Sequence, residues 1–316
     1  MILLSVLATV TLVTATPATA TPATDTTFAV GRATRLSLEN YMGGVTVATW
    51  SRDAVRVRAS HRRSVTVAIE RTPGRLELSA EGKWGVPGSV DWDLTVPVWM
   101  AATIEGVGTD VTVEGMQGEL KIDTVKGDVS VTRCFSAEAS SVEGTVSISE
   151  CRGRVDAQSV NESVHVRRCK GEVNAESVNG DVIVESPESH DVQATSVNGE
   201  VIMSGPFLDG GSYALSAHNG DIVVGMPEHA NVSVSVSTYG GGLSADFPLT
   251  FTEKRKGREY RFTLGTGAAS LALESFQGQV RLMRLDSWNK ELQRLQSESQ
   301  SDRDNDKDSD DDEEDK

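Results

Sequence analysis

The sequence predicts an all-β fold: a single-stranded β-solenoid (β-helix) of about 18-residue coils, with a looser strand-rich N-terminal part and a disordered acidic C-terminal tail. Three observations lead there. A residue pattern recurs at near-constant spacing, apolar side chains alternate strictly inside each repeat, and turn residues return at the same two phases.

The repeat is registered on Thr109, Gly127, Gly144, Glu162, Gly180, Gly199, Gly220 and Gly241, spaced 18, 17, 18, 18, 19, 21 and 21 apart. Five residues earlier stand Ile104, Ile122, Ala139, Ala157, Ala175, Ala194, Leu215 and Val236, and seven earlier Ala102, Leu120, Ala137, Val155, Val173, Val192, Tyr213 and Val234. Two residues apart on a strand means one face, so these columns line a core. The run from Val111 to Val113, repeated as Val129 to Val131, Val146 to Ile148 and onward, supplies a second strand of the same kind. Seven residues after the phase position come Met116, Cys134, Cys151, Cys169, Pro187, Pro206, Pro227 and Pro248, a turn column, since proline pre-sets φ and cannot donate to a ladder.

Asn179-Gly180, Asn198-Gly199 and Asn219-Gly220 fall between alternating runs, the strongest short-range sign of an antiparallel hairpin. Repetition of residue types in one phase favours parallel stacking of each strand on its copy, with the pair forming a corner at positive φ. Val107, Val125, Val142, Val160, Val178, Val197, His218 and Tyr239 precede this corner and read as its packing. Coils on the same template at Leu36 to Trp50 and Leu271 to Leu285, with Tyr41 and Phe276 at the corner, read as end coils.

Residues 1–20 read as a signal peptide: an apolar run too short to span a bilayer, then Ala18-Thr19-Ala20. Residues 21–27 read as a linker, 28–286 as one solenoid domain with regular coils over about 102–248, and 287–316 as an acidic disordered tail. The mature chain is expected to carry no transmembrane segment. Net charge is −16, but residues 298–316 hold eleven acids against three bases, so the body is only mildly acidic. That excludes a nucleic-acid reader, which needs a basic face.

Ser177-Val178-Asn179-Gly180-Asp181-Val182-Ile183-Val184, nearly repeated from Ser196 to Met203, resembles the bacterial putative-adhesin family, a domain of unknown function. The resemblance covers residues 28–286, including the step Leu94-Thr95-Val96-Pro97 into the first regular coil. It implies a β-solenoid and envelope-associated binding, and it supplies no catalytic residues.

Chemistry is sparse. Among five histidines, His165 alternates with Val164 and Val166 and so points outward, and His218 belongs to the corner; no catalytic, cofactor or metal residues are expected. Asp110, Asp128, Asp181, Glu200 and Asp221 form a carboxylate column that reads as a solvated turn edge, with calcium bridging as the sharper alternative. Paired acids on coils also suggest a polysaccharide-cleaving β-helix enzyme, but that column offers no Lys or Arg base. In the tail, Asp302 to Glu313 has calcium-loop spacing, with Lys307 where the loop needs glycine.

Trp92 alternates with Val90 and Leu94 and reads as core, whereas Trp84 sits in a glycine-flanked loop where a ligand could stack. Cys134, Cys151 and Cys169 share one turn column, so one disulfide among them leaves one thiol free, with an apolar stack as the alternative. Arg133, Arg152, Arg168 and Lys170 cluster at that turn, and Arg62 with Arg63 forms a second basic spot. These six residues are the candidate anion-binding surface. The expected function is that of an exported, periplasmic or extracellular binding or scaffolding protein without catalytic activity, whose partner is an envelope component such as an anionic glycan or lipid head group. A structural, self-assembling solenoid is the remaining alternative.

Overall fold

The computed structural model describes residues 24–82, 88–254, 259–285 and 287–288. The signal peptide, the acidic tail with its calcium-loop spacing, and Trp84 lie outside them.

Two sheets of 13 and 14 strands face each other, and each coil contributes one strand to each. Across the regular region every neighbour is parallel and in register: Val146 pairs with Val164 and Val164 with Val182, while Ala157 pairs with Ala175 and Ala175 with Ala194. Parallel register places like residue on like residue one strand spacing apart, which is why the sequence columns exist. The alternating columns point inward, and Ile104, Ile122, Ala157, Val164, Val182 and Val201 are fully buried in one continuous core. Trp92 belongs to it, as its alternation predicts.

Coil order departs from sequence order at both ends. Strand Ala269–Ser275 lies between Ser212–Ala217 and Val232–Thr238, and Val280–Arg284 lies between Ile222–Met226 and Leu243–Ala245. The coil expected to close the stack is therefore threaded inside the one before it. At the other end, Arg75–Gly82 and Val90–Pro97 form a coil outside that of Arg35–Met42 and Val45–Trp50. Neither Leu36 to Trp50 nor Leu271 to Leu285 is an end coil.

The ends are finished by antiparallel strands. Thr24–Ala29 pairs with Ala54–His61, which pairs with Val90–Pro97, and Val65–Thr72 pairs with Arg75–Gly82. Glu259–Leu264 and Phe251–Lys254 add a hairpin beyond Val232–Thr238. Residues 24–27, expected as linker, thus belong to an edge strand. Likewise Trp288, expected within the tail, is 2% exposed and covers Ile202 and Val223 on the outer face of one sheet.

Candidate functional site

Each coil turns at two edges, and both are built from repeated residues. At the first edge, the serine, asparagine and glycine of Ser-Val-Asn-Gly each have a separate task. Buried serine hydroxyls donate to the phase-position carbonyl of the preceding coil: Ser159 to Gly144 at 3.0 Å, Ser177 to Glu162 at 3.0 Å, Ser196 to Gly180 at 2.9 Å. The same oxygens accept the amides of Gly180 and Gly199, each at 2.9 Å. Asparagine side chains form a ladder, Asn219 to Asn198 to Asn179 to Asn161, at 2.6–2.8 Å per step.

The glycines answer to space. A Cβ on Gly199 would sit 2.1 Å from the Gly180 carbonyl oxygen, and one on Gly220 1.9 Å from that of Gly199. Positive φ, expected at this corner, occurs only at Gly43 and Gly127. The carboxylate column differs too from a solvated edge: Asp110, Asp128, Asp181 and Asp221 accept backbone amides of the next coil at 2.8–2.9 Å. Those oxygens are committed to the stack, and among the described residues no three His, Cys, Asp or Glu side chains converge as a metal centre requires.

Swapped coil order brings in a base that the column reading lacked. Arg281 lies 3.6 Å from Glu200 and 3.5 Å from Asp221. His165 is half-buried on an outward position, and His218 stacks on Phe276 at 4.7 Å.

The second edge carries the positive φ. Gly115, Arg133, Glu150, Arg168, Ser186 and Gly205, each six residues past the phase position, all have φ between 48° and 140°. Backbone bonds compensate part of the strain, since Arg133, Glu150 and Arg168 each donate an amide to the next coil at 3.0 Å. The left-handed residue directs the following one inward, so Met116, Cys134, Cys151 and Cys169 are buried in file. Cys134 and Cys151, with Cα atoms 4.6 Å apart, form a disulfide, and Cys169 stays a buried thiol whose pKa is pushed up by burial.

Four of the six predicted cations converge here. Arg133, Arg152, Arg168 and Lys170 line an open groove together with Gln117 and the disulfide. Glutamates interleave with them: Arg133 pairs with Glu114, Arg168 with Glu150 at 2.6 Å, and Lys170 with Glu188 at 2.8 Å. The Arg168 guanidinium, by its hydrogen bond first, holds Glu150 below the usual carboxylate range. Arg152 makes no ion pair among the described residues, so the groove's uncompensated charge is centred on it. Arg62 and Arg63 are exposed in the turn between Ala54–His61 and Val65–Thr72, outside this groove. A second groove, on the 14-stranded sheet, is lined by ions that are already matched: Arg35 with Glu119, Lys121 with Glu138, Arg154 with Asp156.

Parallel coils, glycine-packed corners and polar outer faces define a β-solenoid domain of the Toastrack kind. Residues 34–283 match the family described as Toastrack DUF4097, and the chain belongs to that family. No curated protein matches the chain. Among solved structures, a putative cell adhesion protein from Clostridium sporogenes is 11% identical, with 84% of this chain and 100% of that one covered, at a TM-score of 0.22, which is too distant to bear on function. No helix among the described residues is long and apolar enough to cross a membrane.

Proposed function

We propose that the chain is an exported, non-catalytic envelope-binding module, and that it docks an anionic group, from a glycan or a lipid head group, in the groove around Arg152. The observation that carries the reading is Arg152 itself: an arginine without an ionic partner among the described residues, in one groove with Arg168 and Lys170, on a disulfide-tied edge. A guanidinium held in a row of compensated charges attracts an anion with little competition from its neighbours. The Cys134–Cys151 bridge supports export, because disulfides persist in oxidising compartments. Arg62 and Arg63 would serve as a separate electrostatic contact.

The enzyme alternative draws on Arg281 beside Glu200 and Asp221. Against turnover there, Arg281 already pairs with both Glu200 and Asp221, and Asp221 accepts the Gln279 amide at 2.8 Å, a structural role. Binding of the full chain to isolated envelope fractions is expected to weaken at least tenfold with Arg152→Glu and to fall with added salt. Binding that ignores both would remove the electrostatic site, and reducing ends released from a glycan panel would establish the enzyme instead.

A further inference from the structure

The corner valines, which the sequence alone reads as packing, stand in solvent. Val107, Val125, Val142, Val160, Val178 and Val197 are 39–49% exposed on consecutive coils. The file continues through His218, Phe276 and Tyr239, because the swapped coil inserts Phe276 between the other two, and it begins at Tyr41. The result is a largely apolar ridge along most of the stack, ten rungs at ~4.8 Å, or about 45 Å long. Its exposed area is on the order of 600 Å², at the upper limit of what a monomer carries without a use for it.

The local architecture does not demand this choice. Ser177, Asn179 and Gly180 make the corner's side-chain bonds and close contact, while Val178 between them bonds Ser159 and Asn198 through its backbone alone, which any residue would do. Threonine would satisfy the same strand end and face water at lower cost. A groove runs beside the ridge, bounded by Val142, Val160, Val178 and Val197 on one side and by Ser140, Gln158 and Thr195 on the other. Its only charged lining residue is Glu176, whose carboxylate already accepts the Asn174 amide at 3.1 Å.

We propose that the ridge is a dimer interface, the occupant of the groove being the ridge of a second copy of this chain related by a two-fold axis. Along the four coils from Val142 to Val197 ridge and groove lie side by side with one pitch, so a two-fold rotation seats those rungs in the other's groove and sets the remaining rungs against a surface of the same period. A second copy matches the ~4.8 Å repeat rung for rung. Two such ridges bury roughly 1,200 Å², where stable interfaces begin. A sugar polymer fits less well: Phe276 has His218 stacked on one face at 4.7 Å and Tyr239 tilted over the other at 5.3 Å, leaving ring edges and no platform. The interface lies on the opposite edge from Arg152 and stands or falls separately from the binding groove.

Sedimentation equilibrium of the full chain is expected to give a dimer in the micromolar range and no larger species. Salt should tighten it, because two chains of charge −16 repel. Val160→Asp with Val178→Asp is expected to weaken association at least tenfold. Val160→Thr with Val178→Thr keeps the β-branched shape and guards against a folding defect; it should weaken the dimer several-fold with an unchanged melting curve. A monomer up to about 100 μM, a dimer indifferent to both variants, or a monomer whose binding to phosphatidylcholine vesicles is lost in the Asp variant would each overturn the proposal.

Discussion

The two edges of the stack reverse the chain by opposite means. At the Ser-Val-Asn-Gly edge, coils from Gly144 onward turn without positive φ, and the stress falls on space: each glycine lies under a carbonyl of the neighbouring coil. Hydroxyls of Ser159, Ser177 and Ser196 then tie that carbonyl. At the cysteine edge there is room, and the stress falls on the backbone: Arg133, Glu150, Arg168 and Ser186 sit at φ of 48–59°, and a disulfide ties two coils. One edge leaves no room for a side chain at Gly144, Gly180, Gly199 and Gly220, though Thr109 and Glu162 stand at the same phase, while the other accepts charged ones at the cost of strain. That difference explains why the first edge reads as a motif and the second presents a varied, charged surface.

The sharpest way to break the comparison is to add one carbon at the first edge. Gly199→Ala is expected to cost about 3 kcal/mol or more, since the new Cβ meets only backbone and cannot be relieved by rotating a side chain. Gly242→Ala, one residue past the phase position with nothing within 4 Å, should be neutral or stabilising by about 0.5 kcal/mol. Chemical denaturation of both variants measures the contrast; equal effects would mean that space is not what selects glycine. At the second edge, Cys134→Ala with Cys151→Ala opens a 17-residue separation, for which chain entropy gives about 3 kcal/mol of lost stability. Loss well under 1 kcal/mol would place the support of that edge in packing of the cysteine file instead.

The regular coils were legible because parallel register turns a contact between coils into a repeat along the chain. Val164, Val182 and Val201 are neighbours in space and also one period apart in sequence. Where that equivalence fails, the sequence misleads. The insertion of Ala269–Ser275 inside Val232–Thr238 follows the template perfectly, yet periodicity does not say which coil lies next to which. Arg281 beside Glu200 and Asp221, and Phe276 between His218 and Tyr239, were invisible for the same reason. Exposure of the valines was hidden by their type, since an apolar column suggests burial. Positive φ was assigned to the wrong edge because Arg133, Glu150 and Arg168 are not turn formers, although Gly115 and Gly205 at the same phase carried the signal. The columns bring Arg133, Arg152, Arg168 and Lys170 to one turn; that Glu114 and Glu188 compensate two of them depends on neighbouring coils.

The smallest expected effect has the opposite sign from the largest and tests the strain itself. Ser186 holds φ at 48°, is exposed, and donates its amide to Ser204 at 2.6 Å, a bond that any residue keeps. Unlike Arg133, Glu150 and Arg168, its side chain takes part in no ion pair among the described residues, so replacing it removes little besides the Cβ. A left-handed residue other than glycine costs about 1 kcal/mol, and glycine loses part of that advantage through its freer unfolded chain. Ser186→Gly should therefore raise stability by about 0.5 kcal/mol, whereas glycine in an extended strand lowers it. A destabilised Ser186→Gly protein in the same denaturation experiment would mean that this edge is relaxed at positive φ, and the contrast between a crowded edge and a strained one would fail on the strained side.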